Sequence, residues 1–126
     1  MATSKTRVGA RRPTKAAVVP GRSLRLILST CPARSAARLA RALVDARLAA
    51  CVNVVPGLTS VYRWEGAVES ARECLMVVKT TAARIAQLER AIASEHPYEL
   101  AECVVLAPAH VETRYAAWIA SSVGGA

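Results

Sequence analysis

The pattern of apolar and polar positions becomes regular after Gly21. Residues 24–30, LRLILST, open with alternation, the period of a strand that buries one face. Pro32 then stands where a helix can begin, and Leu39, Leu43 and Val44 recur at helical spacing within 34–50. Arg38, Arg41, Asp45 and Arg47 are left for solvent. Residues 51–64, CVNVVPGLTSVYRW, read as a strand interrupted at Pro56-Gly57, which predicts a bulge on an edge strand. Glu65-Gly66 separates it from a strand over 67–79. A two-residue loop there sets Trp64 opposite Ala67 and Tyr62 opposite Glu69. Thr80 or Thr81 is placed to cap a second helix over 82–95, with Ile85, Leu88 and Ile92 on its apolar stripe. Pro97 ends that helix, because the residue before a proline is driven out of the α region. A fourth strand follows near 102–107 and a short helix near 112–122, carrying Tyr115, Trp118 and Ile119.

The order is βαββαβ plus a terminal helix. Right-handed crossovers then give an α+β, ferredoxin-like sandwich with an antiparallel four-stranded sheet in the order 4-1-3-2 and helices on one face. The hairpin formed by strands 2 and 3 is longer than so small a domain ordinarily needs.

Composition refines this picture in three places. No Phe occurs among the 126 residues, so the core is built from Leu, Val, Ile and Ala. The net charge of +8 suggests a nucleic-acid binder until it is mapped: residues 1–23 contribute +6 and no acid, the remainder only +2. A basic tail over 1–23 is therefore expected to be disordered, with 24–126 forming the single domain; a transit peptide is the other reading of that start. No apolar run approaches the ~18 residues of a membrane span. The four cysteines, Cys31, Cys51, Cys74 and Cys103, form no Cys-x-x-Cys pair. Free thiols in a cytoplasmic setting are expected, with Cys51 and Cys74 as small core residues.

The string LAACVNVVPGLTSVYRWEG at 48–66 resembles the signature of the CutA family, the divalent-cation tolerance proteins. KTT at 79–81, HPYEL at 96–100 and YAAWI at 115–119 match in the same order, so the resemblance spans roughly 24–120. It implies a ferredoxin-like homotrimer that is not an enzyme and is linked to copper or another divalent cation. Two departures are local: Ala101 stands where the family usually has proline, and Val111-Glu112 replaces a common Gly-Asn turn.

Topology selects candidate sites. Strand 1 ends where helix 2 delivers the chain into strand 4, which brings Cys31 toward Cys103, with His96, Glu99 and Glu102 in the same connection. Cys31, His96 and Cys103 carry the thiol and imidazole donors that copper prefers. The competing reading is a buried Cys103 and a hydrogen-bonded loop His96. On the hairpin, Tyr62 and Trp64 share a face, with Glu65 at the turn and Lys79 at the far end; these four are expected in an intersubunit cleft. Plain packing of the aromatics against a neighbouring chain is the alternative.

Rival functions fare less well. RNA recognition on this fold requires aromatics on strands 1 and 3, and LRLILST and ECLMVVKT have none. Acylphosphatase-like chemistry would use Arg34 and Asn53, but the loop STCPAR lacks the glycine needed to cradle a phosphate. A trimeric small-molecule sensor like the PII signalling proteins stays open as a fold-level analogy.

Overall fold

The computed structural model describes residues 23–124. The elements are β1 (Leu24–Cys31), α1 (Ala33–Asp45), β2 (Cys51–Trp64), β3 (Ala67–Thr81), a 3-10 turn (Ala82–Arg84), α2 (Ile85–Glu95), β4 (Val104–Leu106) and α3 (Thr113–Ser122). The sheet order is β2-β3-β1-β4, antiparallel throughout, which is the predicted 4-1-3-2. The expectation for residues 1–23 lies, Ser23 apart, outside the described residues.

Sheet alternation decides which side chains meet which layer. Ile27, Ser29 and Cys31 of β1, with Cys74, Met76, Val78 and Thr80 of β3, turn to the side covered by α1 and α2 and are buried. Leu39 and Leu43 of α1 and Leu88 and Ile92 of α2 complete that core. Among the described residues the opposite face is covered at one end only. There α3 lays Ala116 and Ile119 over Leu24, flanked by Tyr115 and Trp118.

The hairpin departs from compactness. Strand β1 pairs with β3 only from Cys74 to Thr81, so residues 58–73 form a two-stranded arm with no third strand beside it among the described residues. Its register is the predicted one: Trp64 faces Ala67 and Tyr62 faces Glu69. Positive φ at Glu65 and Gly66 makes the two-residue turn, whose backbone twist suits a right-handed ribbon. The register shifts between Val55 and Leu58, where Gly57 takes φ 76°, as the Pro-Gly interruption predicts.

Four expectations need correction. Helix α1 stops at Asp45, not near residue 50. Arg47 adopts φ 58° and closes a C-terminal motif in which Leu48 N–H donates to Leu43 O at 3.0 Å and Arg47 N–H to Val44 O at 3.0 Å. Neither threonine caps α2. Thr80 is buried and its hydroxyl donates to Leu48 O at 2.7 Å, while Thr81 makes no side-chain cap bond. Strand β4 has three residues, and Ser29 Oγ carries the contact onward by donating to Glu102 O at 2.7 Å. Cys51 is half-buried on the edge strand β2 and is not part of the main core, whereas Cys74 is.

Candidate functional site

The most structured polar cluster lies where the arm leaves the sheet. Pro97 halts α2 at His96, which takes ψ 139° and points the following loop back across β1. His96 is 7% exposed and uses both ring nitrogens. Its Nε2 lies 2.7 Å from Thr30 O, and a carbonyl can only accept, so Nε2 carries the proton. Nδ1 is then the acceptor for Tyr98 N–H at 3.1 Å. Two residues on, the Tyr98 hydroxyl donates to Glu73 Oε2 at 2.7 Å. Glu73 sits on β3 at the root of the arm and is only 6% exposed. Burial, and then the bond to Glu73 and its negative charge, push the Tyr98 phenol well above its ordinary range. Thr30 Oγ1 donates to Glu102 Oε1 at 3.3 Å, tying the loop to β1 a second time.

This cluster walls one side of a cleft of about 990 Å³. Tyr62 and Trp64 come from β2, Glu73 from β3, and Tyr98, Glu102 and Cys103 from the loop before β4. Glu99 also lines it, and Arg63 is its one basic lining residue, so the cleft carries excess negative charge on a chain that is otherwise basic.

The three expected soft donors are treated unequally by the fold. Cys31 is the last residue of β1, fully buried beside Cys74. Its thiol is pushed up by burial first, then by Cys74 and Glu73, with Arg38 opposing. Cys103 precedes β4, packs against the edge of the same core and lines the cleft; burial, then Glu89 and Glu102, push its thiol up. His96 is committed to Thr30 and Tyr98. Among the described residues no group of three or more His, Cys, Asp or Glu side chains is arranged to hold a metal ion.

The hairpin set is likewise divided within one chain. Tyr62 and Trp64 line the cleft, while Glu65 stands exposed at the turn. Lys79 lies at the other end of β3, its Nζ 3.4 Å from the Tyr115 hydroxyl and 5.7 Å from that ring's centroid. Sequence reasoning missed the Glu73–Tyr98 pair. The available signal was a glutamate immediately before the apolar run CLMVV of β3, where burial of a carboxylate is costly unless it finds a partner.

Comparison with known proteins places this geometry in context. A family model described as "CutA1 divalent ion tolerance protein" matches residues 25–122. The divalent-cation tolerance protein CutA of Thermus thermophilus is 44% identical over 100 residues, 79% of this chain and 97% of that protein. Protein CutA of Mus musculus is 41% identical over 80% of this chain, which spans 57% of the mouse protein's length. The crystal structure of CutA1 from Oryza sativa superposes with a TM-score of 0.81 at 31% identity, covering 87% of this chain and 99% of that one.

Proposed function

The chain belongs to the CutA1 divalent ion tolerance family, and from that premise we propose that it is a cytoplasmic homotrimer that binds copper and serves the response to metal ions rather than catalysis. The observation that carries the reading is the cleft. It joins three carboxylates, Glu73, Glu99 and Glu102, to the thiol of Cys103, and its charge favours entry of a cation.

Cys31, His96 and Cys103 are carried forward as the copper ligands. Cys103 is the donor best placed to meet a cation arriving from the cleft. Completing the set requires Cys31 and Cys103 to lose their protons and His96 Nδ1, the ring nitrogen with the free lone pair, to give up Tyr98 N–H, so binding is coupled to proton release and to a loop movement. Anaerobic Cu(I) titration of the reduced protein tests this. Cys103→Ser is expected to weaken binding at least tenfold, the scale on which losing one ligand or its support acts, while Cys74→Ser leaves it unchanged. Equal losses from both variants, or no binding by the wild type, defeat the ligand set.

The trimer reading rests on unsatisfied edges. Strands β2 and β4 are the two edges of the sheet, and Val61, Tyr62, Trp64, Val104, Val105 and Leu106 on them are exposed. Apolar edges are aggregation hazards unless covered. A head-to-tail contact between arm and edge has to close into a ring or grow into a fibre. Light scattering at micromolar concentration is expected to give three times 13.3 kDa.

A small-molecule sensor is the second reading, favoured by the size of the cleft, which reaches the upper end of ordinary ligand pockets, ~1,000 Å³. Calorimetry with nucleotides separates it from cation binding: heat with a nucleotide and none with copper supports the sensor.

A further inference from the structure

Strands β1 and β3 run antiparallel with Cys31 directly opposite Cys74. Directly opposed residues of such a pair project to the same face, with Cα atoms ~4.5–5.5 Å apart. That separation falls inside the ~4.4–6.8 Å that a disulfide spans. Both cysteines are free, and they are 0% and 4% exposed within one core cluster. Cys51 and Cys103 have no such relation. Cys51 stands opposite Lys79 at the start of β2, and Cys103 lies in the loop before β4. Of the four cysteines, only Cys31 and Cys74 stand opposite one another in the strand register.

We propose that Cys31 and Cys74 are an oxidation site that closes to an intrachain disulfide when the protein meets a peroxide. Cys74 keeps the little exposure the pair has and reacts first. Its thiolate attacks one peroxide oxygen, the O–O bond breaks, and the departing hydroxide takes up a proton and leaves as water. The resulting sulfenic acid is attacked by Cys31, the S–S bond forms, and the sulfenic oxygen leaves as a second water. Two thiols lose two electrons and two protons, and one peroxide is reduced to two waters.

The position gives the bond a consequence. Cys31 is followed by Pro32, the residue before α1, and Thr30 on its other side carries the His96 and Glu102 contacts. Cys74 follows Glu73, which holds Tyr98. A bond between them fastens β1 to β3 at the root of the arm, beneath the cleft wall. The inference rests on strand register and is independent of the copper reading.

Peptide mapping without reduction tests it on the full chain, first reduced and then exposed to hydrogen peroxide in the absence of metal. The expected product is one Cys31–Cys74 linkage, with two thiols still titratable and dithiothreitol restoring all four. The Cys51→Ser/Cys103→Ser double variant leaves the pair untouched and is expected to form the same linkage. Chains joined through Cys51 or Cys103, or sulfinic and sulfonic acids without a linkage, overturn the proposal. Because the site is read from linked peptides, a failure here leaves the copper titration, done under reducing conditions, unaffected.

Discussion

The two ends of β3 belong to one continuous strand and meet opposite fates. From Cys74 to Thr81 the strand lies between β1 and β2, and its alternate residues Cys74, Met76, Val78 and Thr80 are sealed beneath α1 and α2. From Ala67 to Glu73 it has β2 alone, and Val68 is 65% exposed, as is Val61 at 69% across the ribbon. An isolated two-stranded hairpin is marginal in water. One half of the strand is therefore stabilised within its own chain, whereas the other half has no cover from the described residues beyond its partner strand. The proposed trimer contact is placed on that uncovered stretch.

The sharpest way to break that division is a charge on the arm. If the proposed trimer forms through the arm, Trp64→Glu is expected to abolish it, moving the scattering mass from three chains to one or driving the chain out of solution, because an unpaired carboxylate at an interface core is strongly unfavourable. A soluble variant that keeps the trimer would show that the arm is not the contact. The matching change in the sealed half is Leu39→Ala, a fully buried residue of α1. It should cost about 2–5 kcal/mol of unfolding free energy by the usual cavity scale, read from urea denaturation. Little change in subunit mass is expected so long as the chain stays folded.

How far these two halves were legible beforehand follows from the range of the signals. The hairpin register came from local chemistry, a two-residue Glu-Gly turn between two apolar runs, and it is correct to the residue. The end of α1 was missed because Arg47, not glycine or asparagine, takes the left-handed conformation, and composition holds no trace of that. Thr80 looks like a cap in sequence and is instead a buried donor to Leu48, a partner 32 residues away in the chain. The candidate site shows the same limit. Topology brought Cys31, Cys103 and His96 to one end of the sheet. That His96 would spend both nitrogens on Thr30 and Tyr98 depends on a loop path that apolar periodicity does not encode.

The junction between the halves gives a smaller effect. Tyr98→Phe removes the hydroxyl that serves Glu73 and leaves a carboxylate at 6% exposure short of a donor. The expected loss is about 1–3 kcal/mol, the cost of stranding a buried polar group. Glu73→Gln in the Tyr98→Phe background should cost less than the two single changes together, since the pair acts as a unit. Strict additivity would mean that the bond holds nothing.

The smallest effect concerns the part of the open face that the chain does cover for itself. Helix α3 begins at Thr113, and Glu112 before it is the N-cap, accepting Tyr115 N–H through Oε1 at 3.0 Å and Arg114 Nε–H through Oε2 at 3.2 Å. Those bonds favour the carboxylate over the acid, the backbone N–H groups of the first turn most of all, so the Glu112 carboxyl is held below its ordinary value. The sign follows from linkage. A folded-state pKa below the unfolded one means that the unfolded chain binds the proton more readily, so the stabilisation is fully present above the unfolded value, ~4.3, and is lost as pH falls through the folded one. Glu112 is exposed, and salt and water hold the effect small. The test is Tm followed from neutral pH downward for the wild type and Glu112→Gln. The variant should show a shallower acid fall than the wild type, because its cap oxygen cannot be protonated. Parallel curves would assign the acid sensitivity of this domain to other carboxylates and leave α3 anchored by Ala116 and Ile119 against Leu24 alone.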